Sequence, residues 1–257
     1  MKFTTVFQTD AGIRKKTNQD SLCIKQAKTR EGTVLMAVLC DGMGGLAKGE
    51  VASASLIKAF ADWFDQDLIF ALKEREPLEA VRLQWGDIIQ QMNRKIGTYG
   101  KLNYLQLGST VTAFLVMEDD RYLIAHVGDS RLYQISDWEI QQLTTDQSVV
   151  AHEIRLGHLT EKEAEDDPRR NILLQCVGAS RVVEPQFIQG KIKQGECYML
   201  CSDGFWRRLS QEEMLGGLAP CQNPDDRSLE AHLAALVECD KEREETDNIS
   251  VIAIKVE

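Results

Sequence analysis

The run Val34-Leu-Met-Ala-Val-Leu-Cys40, followed directly by Asp41-Gly-Met-Gly-Gly45, decides how the rest of the chain is read. A short apolar run bounded by a turn signal reads as a strand. A carboxylate stands at its end, and the glycines beside it let the backbone turn and come close to a ligand. The arrangement recurs. Tyr122-Leu-Ile-Ala-His-Val127 runs into Gly128-Asp129-Ser130-Arg131, and Cys197-Tyr-Met-Leu-Cys201 runs into Ser202-Asp203-Gly204. Asp247-Asn248 opens the run Ile249-Ser-Val-Ile-Ala-Ile254. In antiparallel sheets the end of one strand lies beside the start of the next, so these aspartates would meet at one rim. Massed negative charge is costly unless a hard divalent cation sits among it. The expectation is a Mn²⁺ or Mg²⁺ site built on sheet ends.

Bulk properties narrow the function. At 257 residues the chain can hold one substantial core, and a single domain over residues 1–257 is the simplest reading. The net charge of −10 offers no basic excess for nucleic acid or for an anionic membrane surface. No apolar run approaches the roughly 20 residues that cross a bilayer, and the start lacks a secretory signal pattern, so a cytoplasmic location is expected. The seven cysteines form no Cys-x-x-Cys pair and read as reduced, small hydrophobes. The four histidines are scattered, which makes zinc a poor guess and all-oxygen ligation a better one.

Helix-like and strand-like stretches alternate in blocks. Ala54, Ile57, Phe60, Ala61 and Phe64 share one helical face. A second helix is expected from Pro77, with the stripe Leu78, Val81, Trp85, Ile88, Met92 and Ile96. The strand Thr110–Val116 and the next are joined through Glu118-Asp-Asp120 as a hairpin. Thr160-x-x-Glu163 and Ser210-x-x-Glu213 are capping boxes. Asp166-Asp-Pro-Arg-Arg170 reads as a surface loop or flap, and Asn171–Val177 as a return to buried character. Leu229, Leu233, Leu236 and Val237 mark a last helix. The pattern is α+β, with helices packed on antiparallel sheets.

Asp41 and the free carbonyl of Gly42 could both bind metal. Asp203 and Asp247 supply further carboxylates, and Asp20, in Asn18-Gln-Asp20, could bind directly or through water. Two divalent ions can share and activate one water for in-line attack on phosphorus. A substrate phosphate also needs a positive group, and Arg14-Lys-Lys16 is the best candidate. Singly, each motif is weak, since Asp-Gly is among the commonest turn pairs. No Gly-Lys-Ser/Thr follows Gly44-Gly45, so a nucleotide P-loop is not expected.

The ordered set resembles the metal-dependent protein phosphatases of type 2C, the PPM family of serine/threonine phosphatases. It comprises Thr9-Asp-x-Gly12 through Asn18-Gln-Asp20, Asp41-Gly-Met-Gly-Gly45 with Gly49-Glu50, and Gly108-Ser-Thr110. Val127-Gly-Asp-Ser-Arg131, Leu143-Thr-Thr-Asp146, Ser202-Asp-Gly204 and Thr246-Asp-Asn248 complete it. The Asp-Gly-Met-Gly-Gly form resembles the bacterial branch. The resemblance implies a four-layer αββα sandwich, with two central antiparallel β-sheets flanked by helices and a dinuclear site at one end. In it Asp41 would bridge two Mn²⁺ or Mg²⁺ ions and the Gly42 carbonyl would bind one. Asp203 and Asp247 would bind the other, with Asp20 acting through water. A third, weaker ion would use Asp129 with a flap residue, Asp166 or Asp167, while Asp146 would be structural.

The chain departs from the family pattern at three places. Lys15 falls at the usual phosphate-binding arginine, with Arg14 one place early, so either could anchor the phosphate. Gln19 stands where an acidic residue is usual. Met43 stands where eukaryotic relatives carry a histidine, so no protein side chain is assigned as general acid. The implied activity is hydrolysis of phosphoserine and phosphothreonine in proteins by a metal-bridging water. The implied partners are phosphoproteins and a cognate serine/threonine kinase, and a monomer is expected. A narrower enzyme reading is a phosphatase dedicated to one phosphorylated switch protein. The alternative is a catalytically inactive pseudophosphatase that binds phosphoproteins. The retained Asp20, Asp41, Asp203 and Asp247 weigh against it.

Overall fold

A computed structural model of the chain describes residues 1–44 and 48–257, so Gly45 of the glycine-rich turn lies outside the described residues. In chain order the strands are β1 (Phe3–Asp10), β2 (Ser21–Thr29), β3 (Gly32–Cys40), β4 (Gly42–Gly44), β5 (Leu107–Ser109) and β6 (Val111–Met117). They continue as β7 (Arg121–Val127), β8 (Arg131–Ile135), β9 (Ile140–Gln142), β10 (Gln186–Lys191), β11 (Cys197–Cys201) and β12 (Ile249–Val256). The helices are α1 (Gly49–Gln66), α2 (Leu68–Ala71), α3 (Pro77–Asn103), α4 (Val149–Arg155), α5 (Glu161–Glu165), α6 (Asp203–Trp206), α7 (Gln211–Leu218) and α8 (Asp226–Glu242).

Ten of these twelve strands form two antiparallel five-stranded sheets, ordered β1-β12-β11-β8-β9 and β10-β7-β6-β3-β2, and β4 pairs with β5. Side chains alternate across a strand, so an apolar run without alternation must be covered on both faces. β3 shows it. Val34, Met36, Val38 and Cys40 pack under α1 and α3, while Leu35, Ala37 and Leu39 face the other sheet. In the second sheet, Cys197, Met199 and Cys201 of β11 pack towards α7 and α8, and Tyr198 and Leu200 towards the first sheet. Helices therefore flank two face-to-face sheets, the expected αββα sandwich. At its centre Phe114 stacks on Tyr198, with ring centroids 5.4 Å apart.

The helical faces sit slightly off the expected stripes. In α1 the buried line is Ala52, Leu56, Phe60 and Trp63, while Ala54 is exposed and Ile57 half-buried. In α3 Ile89, not Ile88, is fully buried. Trp85, edge-on to both Phe60 and Trp63, sets the rotation of the two helices. The capping boxes at Thr160 and Ser210 form, and a third forms between Asp225 and Ser228 at α8. The stretch Asn171–Val177 does not return to the core. Only Val177 is buried, because the segment makes single bridges (Ser148 to Leu173, Ser109 to Val177) and lacks a second covering layer. All seven cysteines are free thiols. Among the described residues no helix is long and apolar enough to cross a membrane.

The Phe114 ring ties the two sheets together. Phe114→Ala should lower the unfolding free energy by about 3–5 kcal/mol in a urea titration. A loss below about 1 kcal/mol would mean that the sheets are held together elsewhere.

Candidate active site at the strand ends

Antiparallel register brings the motif aspartates to one rim. Ser21 pairs with Cys40, so Asp20, just before β2, lies beside Asp41, just after β3. Cys201 pairs with Val251, so Asp203, just after β11, lies at the same end as Asp247, just before β12. Arg131 at the start of β8 pairs with Cys201, which brings the turn carrying Asp129 to that end as well.

Short-range contacts hold each aspartate in place. The Asp41 N–H donates to Thr110 Oγ1 at 2.9 Å, and Thr110 N–H donates back to the Asp41 carbonyl at 2.9 Å. Asn248 pins three segments. Its Nδ2 donates to the carbonyls of Ala11 (3.0 Å) and Thr17 (3.2 Å), and its Oδ1 accepts from Gln19 N–H (2.9 Å). Asn18 Oδ1 accepts from Asp20 N–H at 3.0 Å. Buried Glu245 accepts the N–H groups of Thr246 (2.7 Å) and Asp247 (2.9 Å) on Oε1. Two glycines are sterically required. A Cβ on Gly42 would lie 2.4 Å from the carbonyl oxygens of both Gln19 and Gly49. Gly12, at φ +74°, would place one 2.2 Å from the Asp247 carbonyl oxygen.

Electrostatically the rim is a concentration of like charge. Asp20, Asp41, Asp129 and Asp203 are all buried. Both carboxylate oxygens of Asp20, and Oδ1 of Asp203, are buried without a hydrogen-bond partner. Burial pushes the Asp20 carboxyl up to about 7. The Ser250 and Ser202 hydroxyls nearby oppose the rise without making a well-formed hydrogen bond to it. Burial also lifts Asp41 well above the usual carboxylate range, and the charges of Asp20, Asp203, Asp247 and Asp129 add to it. Asp129 is raised to about 8, first by burial and then by Asp203 and Asp146, with Arg207 and Arg131 opposing. Asp203 is raised by burial, and Arg207 counteracts. Such carboxylates without partners are the environment that hard cations with oxygen ligands occupy.

Among the described residues these groups do not close into a ready-made cage of three or more ligands. Two side-chain cations reach in instead. The Lys15 ammonium contacts Asp247 Oδ1, and the Arg207 guanidinium contacts Asp203 Oδ2. Burial works against the Lys15 charge, but Asp247, Asp41 and Asp203 outweigh it and leave its pKa raised. Of the two candidate phosphate anchors the structure brings in Lys15, whereas Arg14 is exposed. Asp166 borders the groove that Asp129 lines. Asp167 does not join it. Its carboxylate accepts the Arg169 N–H (2.7 Å), Nε–H (3.0 Å) and Nη2–H (2.8 Å) and faces a recess with Thr160, Lys162 and Glu163. Asp146 binds Arg131 through Nε (3.0 and 3.1 Å) and Nη2 (2.7 Å), a structural role.

Arg207, Trp206 and Glu245 escaped the sequence reading. An arginine four residues after a helical aspartate was the available signal for Arg207. The groove beside the site, about 830 Å³, runs between α4–α5 and α6–α7 and includes Asp129, Val150, Ile154, Arg170, Trp206 and Arg207.

A family model described as protein phosphatase 2C matches residues 9–242. The chain belongs to the protein phosphatase 2C family. Within that family it is a bacterial-type member, and the reading of the chain as a phosphatase enzyme stands. A serine/threonine phosphatase of Listeria monocytogenes is 31% identical over 211 residues, 81% of this chain and 80% of its own. The S. agalactiae serine/threonine phosphatase structure matches with a TM-score of 0.84 at 31% identity, covering 100% of both chains. The catalytic domain of the serine/threonine protein phosphatase PstP, solved in complex with 2 manganese ions, matches with a TM-score of 0.79 at 27% identity. That match covers 99% of each chain.

The raised carboxyls set a pH dependence for the chelated protein. Below about pH 4 an acid of ordinary pKa is protonated folded or unfolded, and the stability contributed by the raised pKa values is complete. It is lost as pH rises through about 7 for Asp20 and about 8 for Asp129, because the unfolded chain has already released those protons. Buried His126, lowered to about 4 by desolvation, works in the opposite direction, but only up to about pH 6.5. In excess EDTA the melting temperature should fall between about pH 6.5 and about pH 8.5, and Asp20→Asn should flatten the fall. A melting temperature that climbs across this window would contradict the electrostatic description.

Proposed function

We propose that the chain hydrolyses phosphoserine and phosphothreonine in proteins and depends on Mn²⁺ or Mg²⁺ held by the strand-end carboxylates. The observation that carries the reading is the set of buried oxygens on Asp20 and Asp203 that lack partners, beside Asp41 and Asp247. One ion would take Asp41 and the Gly42 carbonyl. The second would take Asp203, Asp247 and Asp41, with Asp20 acting through water. When bound, such ions supply Lewis acidity that activates water and stabilises phosphoryl charge.

The chain's own residues supply the remaining functions. Lys15 offers its ammonium to a phosphoryl oxygen as a point charge, a role open to it once Asp247 turns to another cation. Phosphopeptide segments flanking the phosphorylated residue would lie in the groove bordered by Val150, Ile154 and Trp206. No motif side chain is placed to act as general acid. Met43 follows Gly42, and His126 is fully committed. Its Nε2–H donates to the Gly128 carbonyl at 3.1 Å, and its Nδ1 pairs with Thr110's neighbour two residues on, Thr112, at 3.0 Å. Residues 1–257 would act as one catalytic unit. The inactive alternative is weaker, because Lys15 and Arg207 offset only part of the cost of keeping these carboxylates together and bound cations would offset the rest.

p-Nitrophenyl phosphate should be hydrolysed with Mn²⁺ and not in EDTA, and Asp41→Asn should lower kcat by orders of magnitude. Metal-independent turnover, or near-normal activity of the variant, would overturn the reading. Lys15→Ala should lower kcat/KM for a phosphopeptide about ten- to a hundredfold, the value of a hydrogen bond to a charged group. Arg14→Ala should stay near wild type in the same assay. The reverse pattern would move the anchor to Arg14.

A further inference from the structure

We infer that the Arg207 guanidinium takes the place of a third divalent cation beside Asp129, so that the chain holds two ions and not three. The inference deepens the two-ion reading above and rests on it.

Its first support is position. Asp203 opens α6 and Arg207 caps its end, so the two side chains lie one turn apart on the same face. The Arg207 N–H donates to the Asp203 carbonyl at 3.0 Å while its Nη2 contacts Asp203 Oδ2. Arg207 and Asp129 also line the same groove. One fixed positive charge thus pairs with Asp203 in the groove that Asp129 lines, where a third ion would sit.

A second support is rigidity. Trp206, the neighbour of Arg207, donates its Nε1–H to the Asp129 carbonyl at 3.1 Å. The Arg131 guanidinium stacks 3.3 Å from the Trp206 ring centroid and is itself held by Asp146. The turn carrying Asp129 and the helix carrying Arg207 are therefore locked to one another. The Arg207 guanidinium lies 5.8 Å from the centroid of the same ring.

The third support is the loss of one of the two flap carboxylates, which leaves only Asp166 bordering the groove that Asp129 lines. Asp167 is engaged by Arg169 and faces a different recess, so it does not complete a site with Asp129. A dication at Asp129 would then meet a guanidinium that does not deprotonate, and the two would repel at close range.

The test counts bound metal. Mn²⁺ stoichiometry is measured by isothermal titration calorimetry and by equilibrium dialysis on the wild type, Asp129→Asn, Arg207→Asp and the Arg207→Asp/Asp129→Asn double variant. The wild type should bind two equivalents, and Asp129→Asn should leave that number unchanged. Arg207→Asp removes the cation and adds a carboxylate, so it should gain a third, weaker equivalent that the double variant loses. Should Arg207→Asp fail to fold, Arg207→Gln removes the charge at similar length and should show the same gain. A third equivalent in the wild type that Asp129→Asn abolishes would overturn the inference, as would two equivalents in every Arg207 variant. Fewer than two equivalents in the wild type would instead overturn the two-ion reading itself.

Discussion

The structure is organised around a concentration of negative charge that the fold cannot disperse. Antiparallel register places Asp20 beside Asp41 and Asp203 beside Asp247. Three of the four strands beside them, β3, β11 and β12, are buried on both faces, so neither sheet can shift register without exposing apolar side chains to water or driving them into the wrong layer. The carboxylates therefore stay where the packing puts them, and the local backbone stiffens around them. Thr110 locks the Asp41 peptide, Asn248 ties the β1–β2 connection to the start of β12, and Glu245 gathers the two N–H groups before Asn248. The carboxylate cluster is strained electrostatically, and the polar scaffold beneath it is well bonded.

That contrast explains why basic residues appear where they do. Lys15 arrives on an irregular segment and contacts Asp247, which in the proposed reading it would leave for substrate phosphate. Arg207 is held by Asp203 one turn before it on a helix that the Arg131–Trp206 stack anchors. A mobile cation suits a group that must meet substrate, and a fixed one suits permanent charge compensation. Lysine and arginine are fitted to these roles by their differing hydration and rigidity.

The segment from Val149 to Val177 follows other rules. α4 and α5 are short, α4 is mostly half-buried and α5 mostly exposed, and Asn171–Val177 is pinned by single bridges. With little apolar area buried, this segment is among the least strongly held parts of the fold by burial alone. It forms one wall of the groove beside the strand ends, opposite the well-packed wall of α6 and α7.

The sequence by itself determined the strands β3, β6, β7, β11 and β12 and the aspartates beside the strand ends. Unbroken apolar runs such as Val34–Cys40 and Cys197–Cys201 admit few alternatives, and glycines such as Gly42 and Gly12 mark backbone positions that a side chain would block. The capping boxes were equally legible, because their signal lies within four residues. Only the tertiary structure decided which stripe of α1 is buried, since Trp85 on another helix sets that rotation. It also decided that Lys15 rather than Arg14 enters the site, that Asp167 turns away from Asp129, and that Arg207 pairs with Asp203 in the groove that Asp129 lines. The physical reason is common to all three. The partner of a charged side chain is chosen by which distant segments the sheets bring together, and local spacing carries no record of that choice.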